Sequence, residues 1–307
     1  MPGVARAPRS SPVRQTDGRA LRQLIDLHTH TNASDGRCTA EELVARSAAA
    51  GVSVLSVTDH DTVAACEPAA AACLRAGIEF VTGIEVTATA DEIDVHVLGY
   101  FVDPRSQGLL AFLAEQRRHR VVRVQEILER LVRHGITLDR EAIVQPGLTD
   151  AQAIGRPTIA RALVAGGHVP DTRDAFDRWL ARGRPAFVPR RGPSPDEVIA
   201  RIHRAGGVTS LAHPALLRHD DWIPRYASAG LDALEAYHAD HTPDDTSRYL
   251  AIASGLKLVV TGGSDYHGDG SHGGAPGSAS LPSEHYERLK GLRAASRATA
   301  SGAVTSS

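Results

Sequence analysis

The sequence predicts an α/β fold: a barrel of mainly parallel strands with helices outside, interrupted once by a helical insertion. Three observations predict it. Short apolar runs of strand length alternate with amphipathic segments of helix length over residues 24–102 and again over 190–275, the βαβ rhythm that implies parallel pairing. Histidine, aspartate and glutamate recur where those apolar runs end. Between about 104 and 190 the alternation stops and arginine-rich helical segments take over. The expected organisation is a disordered tail over 1–20, a barrel domain built from 21–103 and 190–295, a helical cap over the substrate from 104–189, and a loose tail over 296–307.

The elements follow in order. "LIDLHTH" reads as the first strand and "TAEELVARSAAAGV" as a helix, with Thr39 as N-cap, Glu42 at the capping-box position and Gly51 ending it. "VSVLSVTDHD" is a second strand and "AACEPAAAACLRAG" a helix with Pro68 near its start; Cys66 and Cys73 share one helical face as packing residues. "IEFVTGIEVTA" and "EIDVHVLGYFV" are strands three and four. In the insertion, "SQGLLAFLAEQRRHRVVRVQEILERLVRHGI" is one long helix, "RPTIARALVAGG" and "TRDAFDRWLARG" are shorter ones, and "PAFVP" is the next strand. The run "RRHRVVR" reads as a solvated helix face. Alternation then resumes through "SPDEVIARIHRAGG", "VTSLAHP", "DWIPRYASAG", "LDALEAYH", "TSRYLAIASG" and "LKLVVTGGSDYHG".

Composition narrows the class. The 307 residues are 42% hydrophobic and 23% charged, ordinary for a globular protein, with formal net charge −2. Near-neutral charge and 4% aromatics argue against sequence-specific nucleic-acid binding. No apolar run reaches the ~20 residues of a membrane helix, and the N-terminal stretch lacks an apolar signal core. Three scattered cysteines with no CxxC make no disulfide framework, which fits a reducing cytoplasm. No membrane or stable protein partner is implied.

The chemistry sits at one structural address. His28 and His30 are two apart, so on a strand they share a face. Asp59 and His60 end strand two, Glu85 ends strand three, His96 lies within strand four, His213 and His238 end later strands, and Asp265 and His267 end the last. The carboxyl ends of parallel barrel strands gather on one face, where active sites form. Histidines and carboxylates without cysteine suit hydrolytic Zn, Mn or Fe rather than a structural zinc. So many ligands imply two or three ions sharing a bridging carboxylate, the arrangement of phosphatases and nucleases. Gly262 and Gly263 read as residues that let backbone approach the metals.

The ordered set "DLHTHTNASDG", "VTDHDT", "GIEV", "DVHVLGY", "LAHP" and "GGSDYHG" resembles the PHP (polymerase and histidinol phosphatase) phosphoesterases over roughly residues 24–102 and 190–275. The insertion, with "GRPTIARALV" and "RGRPAFVP", is similar to the subgroup acting on nucleoside 3',5'-bisphosphates and short 5'-phosphorylated RNA. One departure is Thr158, where a histidine is expected after "RP". The resemblance implies a distorted (β/α)7 barrel and a trinuclear site with Mn, or else Fe or Zn. His28, His30, Glu85 and Asp265 would hold one ion; Glu85 would bridge to a second, held by His96 and His213; Asp35, His60 and His267 would hold the third. Glu85, Asp265 and His213 would then serve catalysis through a hydroxide held between the ions. Asp59 would support a ligand and His238 would face the substrate. Arg156, Arg118 and Arg184 are the candidate phosphate-binding arginines, because a guanidinium fork matches phosphate geometry. The expected substrate is a small phosphorylated nucleotide or a short RNA end. The alternatives are a phosphatase for AMP or histidinol phosphate, and a non-catalytic PHP module.

Overall fold

A computed structural model describes residues 23–148, 152–268 and 273–304, with side chains to residue 294. The expected tail over 1–20 lies outside them. One seven-stranded sheet runs in sequence order: β1 (Leu24–Asp26), β2 (Val52–Val57), β3 (Glu79–Ala90), β4 (Ile93–Tyr100), β5 (Val208–Leu211), β6 (Ala233–His238) and β7 (Val259–Gly263). The helices are α1 (Ala40–Ala49), α2 (Cys66–Ala76), α3 (Gln107–Arg133), α4 (Arg140–Leu148), α5 (Arg156–Ala165), α6 (Thr172–Ala175), α7 (Pro195–Arg204), α8 (Pro214–Leu217), α9 (Ile223–Ser228), α10 (Pro243–Leu256) and α11 (Ser283–Val304). The backbone of α11 thus continues into the stretch from 296 where a loose tail is expected.

The sheet curls into a nearly closed barrel. Beyond the last ladder pairs, β7 returns to the chain after β1: Leu27 N–H donates to the Gly262 carbonyl (3.2 Å), and Thr29 bridges Tyr266 in parallel. Gly263 makes this approach possible, because a Cβ there would lie 2.3 Å from the His28 nitrogen. The pairing is parallel except at β4, which runs antiparallel to both β3 and β5. Its cause is local: β3 and β4 are joined by Asp91 and Glu92, both at positive φ, in a two-residue hairpin with no room for a crossover helix. The Thr39–Glu42 capping box opens α1 as the sequence predicts.

Among the described residues there are two large apolar cores, with two smaller clusters where α1 and α2 pack on the sheet. The larger fills and surrounds the barrel (Ile25, Leu27, Val81, Ile84, Val97, Leu98, Leu211, Leu234). The second belongs to the insertion, with Val124, Ile127, Leu131, Ile159, Leu163, Leu180 and Val188. Helix α3 joins them: Leu109, Phe112 and Leu113 pack on the barrel and Val121 to Leu131 on the insertion. "PAFVP" is not a strand. Its carbonyls are claimed by α3 instead, the Val188 oxygen by Arg123 Nε (2.9 Å) and the Phe187 oxygen by Arg130. "TRDAFDRWLARG" is split into α6 and a single π-helical turn, Phe176–Leu180.

Candidate metal and phosphate site

His28 and His30 lie just past the end of β1, held in extended register by His30 N–H donating to Tyr266 O (2.9 Å) and Asp265 N–H to His28 O (2.8 Å). Asp59 and His60 follow β2, where Glu85 N–H donates to Asp59 O and Asp61 N–H to Glu85 O. Glu85 is not at a strand end. It sits inside β3, because that strand runs on into the β4 hairpin. His96 lies within β4, and Ala212 N–H donates to its carbonyl. His213 and Asp265 have φ of 26° and 52°, conformations that cost of order 1–3 kcal/mol for non-glycine residues and concentrate at functional sites.

Glu85 is the hub. Its Oε1 lies 2.8 Å from His96 Nδ1 and 3.2 Å from His213 Nε2. Its Oε2 lies 3.1 Å from His60 Nδ1, 3.3 Å from His30 Nε2 and 3.5 Å from His28 Nε2. Asp265 Oδ1 lies 3.2 Å and 3.1 Å from His28 and His30. Asp35 reaches His267 Nε2 at 3.3 Å and His60 Nε2 at 3.6 Å. Among the described residues, five groups have ligand atoms within 4.8 Å of one another: His28, His30 and Glu85; His60, Glu85 and His96; His30, Asp35, His60 and His267; His28, His213 and Asp265; and His28, Glu235 and His238.

This donor set fits divalent cations. The nitrogens His28 Nε2, His30 Nδ1, His30 Nε2, His60 Nδ1 and His96 Nδ1 are buried without a hydrogen-bond partner and face these carboxylates. Unpaired buried polar atoms are costly, and so many converging on shared carboxylates are the signature of ligands. Burial pushes the Glu85 carboxyl up, but His60, His96 and His28 outweigh it and hold it well below the usual range. At His28 burial pulls the imidazole down, but Glu235, Asp265 and Glu85 outweigh it and hold it well above its ordinary value.

Asp59 does not face the cavity. Its Oδ1 accepts from Thr31 N–H (2.8 Å) and Ser34 Oγ (2.6 Å), and its Oδ2 from Thr31 Oγ1 (2.6 Å). His238 is buried behind the cluster, not open to substrate. Asp240 N–H donates to its Nδ1 (3.1 Å), which leaves Nε2–H facing Asp265 Oδ2 at 3.4 Å.

A cavity of about 190 Å³ opens on the cluster, lined by Asp35, His60, Glu85, His96, His213, Asp265 and His267 and, on its other wall, by Arg120, Arg123, Arg156 and Arg190. Arg118 and Arg184 do not belong to it; both are exposed. The helix turn explains the correction. Arg117, Arg120 and Arg123 recur every three residues on the buried face of α3, and Arg118 is rotated away from them. "RRHRVVR" is therefore not a solvated face throughout. Thr158 accepts at its hydroxyl from Gly155 N–H at 3.4 Å.

Two carboxylates, the buried Asp61 and the partly buried Asp94, organise the arginines. Asp61 Oδ2 pairs with Arg120 Nε (2.5 Å) and lies 3.8 Å from Arg190. Asp94 lies 3.1 Å from Arg156, 3.4 Å from Arg190 and 3.7 Å from Arg123. Four guanidiniums against two carboxylates leave a net positive wall. Burial, then the neighbouring Arg120, pull Arg190 down to about 10, and burial and Arg190 pull Arg123 down to about 9. Guanidiniums do not lose their proton in proteins, so these side chains stay charged, and the like-charged neighbours among them favour an anion between them.

For Asp61, burial raises the carboxyl but Arg120 and Arg190 outweigh it and hold it low. A lowered folded value gives stability that is present above the ordinary carboxyl range, about pH 4, and is lost as pH falls through the folded value. Asp61→Ala is expected to cost about 3 kcal/mol at neutral pH, since it strands Arg120 in the interior. Denaturant unfolding should show that penalty shrinking in acid.

The sequence reading did not single out Glu235, Asp61, Asp94, Arg120, Arg123 or Arg190. For Glu235 the signal was present: one charge among Ala233, Leu234 and Ala236 in a strand buried on both sides. For the arginines it was the three-residue spacing on α3.

Comparison with known proteins shows the family. The PHP domain family matches residues 26–142. The chain is 34% identical to the 5'-3' exoribonuclease Rnm of Escherichia coli over 80% of its length and 85% of the relative's. It is 32% identical to the 3',5'-nucleoside bisphosphate phosphatase of Chromobacterium violaceum, covering 81% and 89%. It is 33% identical to the phosphoribosyl 1,2-cyclic phosphate 1,2-diphosphodiesterase of Eggerthella lenta, covering 79% and 94%. A solved structure from Bifidobacterium adolescentis, described as a metal-dependent phosphoesterase, superposes with a TM-score of 0.80 at 32% identity, covering 87% of this chain and 95% of that one. No helix among the described residues is long and apolar enough to cross a membrane. With its histidine–carboxylate cluster on the face of a distorted (β/α)7 barrel, the chain belongs to the PHP family and is a metal-dependent phosphoesterase.

Proposed function

We propose that the enzyme hydrolyses a phosphate ester on a ribose that carries a second phosphate, with nucleoside 3',5'-bisphosphates and the 5'-phosphorylated ends of short oligoribonucleotides as substrates. The observation that carries this reading is the placement of the four-arginine wall in the same small cavity as the metal ligands. A mononucleotide or histidinol phosphate has one phosphate and would leave one of the two sites unused. The names of the C. violaceum and E. lenta relatives each denote a ribose with two phosphate groups, which supports the same division.

The cluster holds three ions in this reading, with Mn preferred: His28, His30, Glu85 and Asp265 at one, Glu85, His96 and His213 at the second, and Asp35, His60 and His267 at the third. Divalent ions there supply Lewis acidity at the phosphoryl oxygens and make water acidic enough to attack near neutral pH. Arg190, Arg156 and Arg123 grip the remaining phosphate, each donating through a planar fork. Phe176 and Leu216, the latter half exposed, give the cavity an apolar rim, where a nucleobase can rest by its face. Arg156 lies 5.8 Å over the Phe176 ring and completes that platform. Face contact does not distinguish bases. Phe176→Ala should raise KM roughly tenfold, and by similar factors for all four bases, in line with base-stacking energies of about 1–3 kcal/mol.

The test is phosphate and nucleotide release by the Mn-loaded enzyme from adenosine 3',5'-bisphosphate, AMP, histidinol phosphate and a 5'-phosphorylated RNA trimer. Turnover of the bisphosphate and trimer well above the other two supports the reading. Faster turnover of AMP or histidinol phosphate overturns it.

A further inference from the structure

We propose that two buried carboxylates outside the ligand set assigned above, Glu235 and Asp59, position different parts of the metal cluster around the shared Glu85, so that losing either one weakens mainly the sites it serves. The proposal rests on the metal reading above but not on the identity of the substrate.

Glu235 is fully buried on β6 and uses both oxygens. Oε1 takes the Nδ1 side of His28 at 3.0 Å, and Oε2 accepts from the His213 backbone N–H at 2.7 Å. The first contact keeps the proton of His28 on Nδ1 and turns Nε2 towards Glu85 and Asp265. The second clamps the backbone of His213 where its φ is 26°, a conformation that needs support from its surroundings. One carboxylate thus sets the aim of a ligand of the first ion and a ligand of the second. Hydrogen-bond partners behind metal ligands commonly carry ~10–100-fold in metal affinity.

Asp59 does the equivalent for another part of the cluster by a different route. It touches no ligand side chain of the third site. It folds the loop that presents Asp35, by accepting from Thr31 N–H, Thr31 Oγ1 and Ser34 Oγ. Within that loop Gly36 N–H and Ser34 N–H both return to the Thr31 carbonyl. These contacts fix where the Asp35 carboxylate stands relative to His60 and His267. Glu235 and Asp59 have no hydrogen-bond partner in common.

An amide replacement is the sharp probe. A carboxylate accepts on both oxygens, whereas glutamine or asparagine offers one acceptor and sets an NH2 against the other donor. The experiment counts Mn per chain after equilibration at graded free Mn, for wild type, Glu235→Gln and Asp59→Asn, beside the melting temperature of each metal-free protein. At a free Mn that fills the wild type to about three ions per chain, Glu235→Gln is expected to hold about one and Asp59→Asn about two, a ~10–100-fold weakening falling mainly on the affected sites. A merely structural role would lower the metal-free melting temperature and empty all sites in parallel. If Glu235→Gln does not fold, Glu235→Asp, which keeps the charge but is too short to reach both partners, is read in the same way. Parallel loss of all ions in both variants, or no loss in either, overturns the proposal. A wild type that binds no Mn overturns the metal reading together with it, and full loading with no turnover of any nucleotide leaves this proposal standing while overturning the substrate reading.

Discussion

Glu85→Ala is expected to lose metal and activity together, with kcat/KM falling roughly a thousandfold or more. The magnitude follows from the several kcal/mol of charge stabilisation that bound ions supply to a phosphoryl transition state, at about 1.4 kcal/mol per factor of ten. No other described side chain stands in contact with His28, His30, His60, His96 and His213 at once. Removing it leaves imidazoles crowded without the charge that draws cations between them. Metal analysis of the purified variant and initial rates on adenosine 3',5'-bisphosphate check this. Glu85→Gln should fail nearly as badly despite its matching shape, because it lacks the charge. A variant retaining full metal and near-normal rate would place the cluster's organising charge elsewhere, Asp265 being the next candidate.

Arg190→Met is expected to separate the two phosphates. Arg190 is nearly buried and reaches both Asp94 and Asp61. Methionine keeps most of the apolar stem while removing the fork. Charged hydrogen bonds are worth about 1.5–3 kcal/mol, so kcat/KM for the bisphosphate should fall roughly 10–100-fold, mostly through KM. Metal content should not change, since Arg190 touches none of the histidines. Arg118→Ala and Arg184→Ala, exposed and outside the cavity, should stay within about twofold, as surface changes usually do.

Much of this was legible in the chain. The alternation of apolar runs marked the α/β fold, and the recurrence of His, Asp and Glu at or near the ends of those runs marked the cluster, because both depend on local sequence; the distorted (β/α)7 form and the full ligand set came only with the resemblance to PHP phosphoesterases. Two features were less accessible for physical reasons. The antiparallel β4 depends on the Asp91–Glu92 turn adopting positive φ at two non-glycine residues, which propensity disfavours. The arginine wall depends on charges buried by tertiary pairing. Arg120 reads as surface until Asp61, from the end of β2, comes within 2.5 Å of it. Likewise, Asp94 gains its meaning only when Arg123 of α3, Arg156 of α5 and Arg190 beyond the insertion converge on it.

The most direct test of the account's centre, that one phosphate is cleaved at the metals while a second is held by the arginines, is a comparison of kcat/KM for adenosine 3',5'-bisphosphate and adenosine 3'-monophosphate with the Mn-loaded enzyme. The account predicts a preference for the bisphosphate of about 10–100-fold, the worth of charged hydrogen bonds to the 5'-phosphate, collapsing in Arg190→Met. Equal efficiency on the two substrates, unchanged by Arg190→Met, would contradict it.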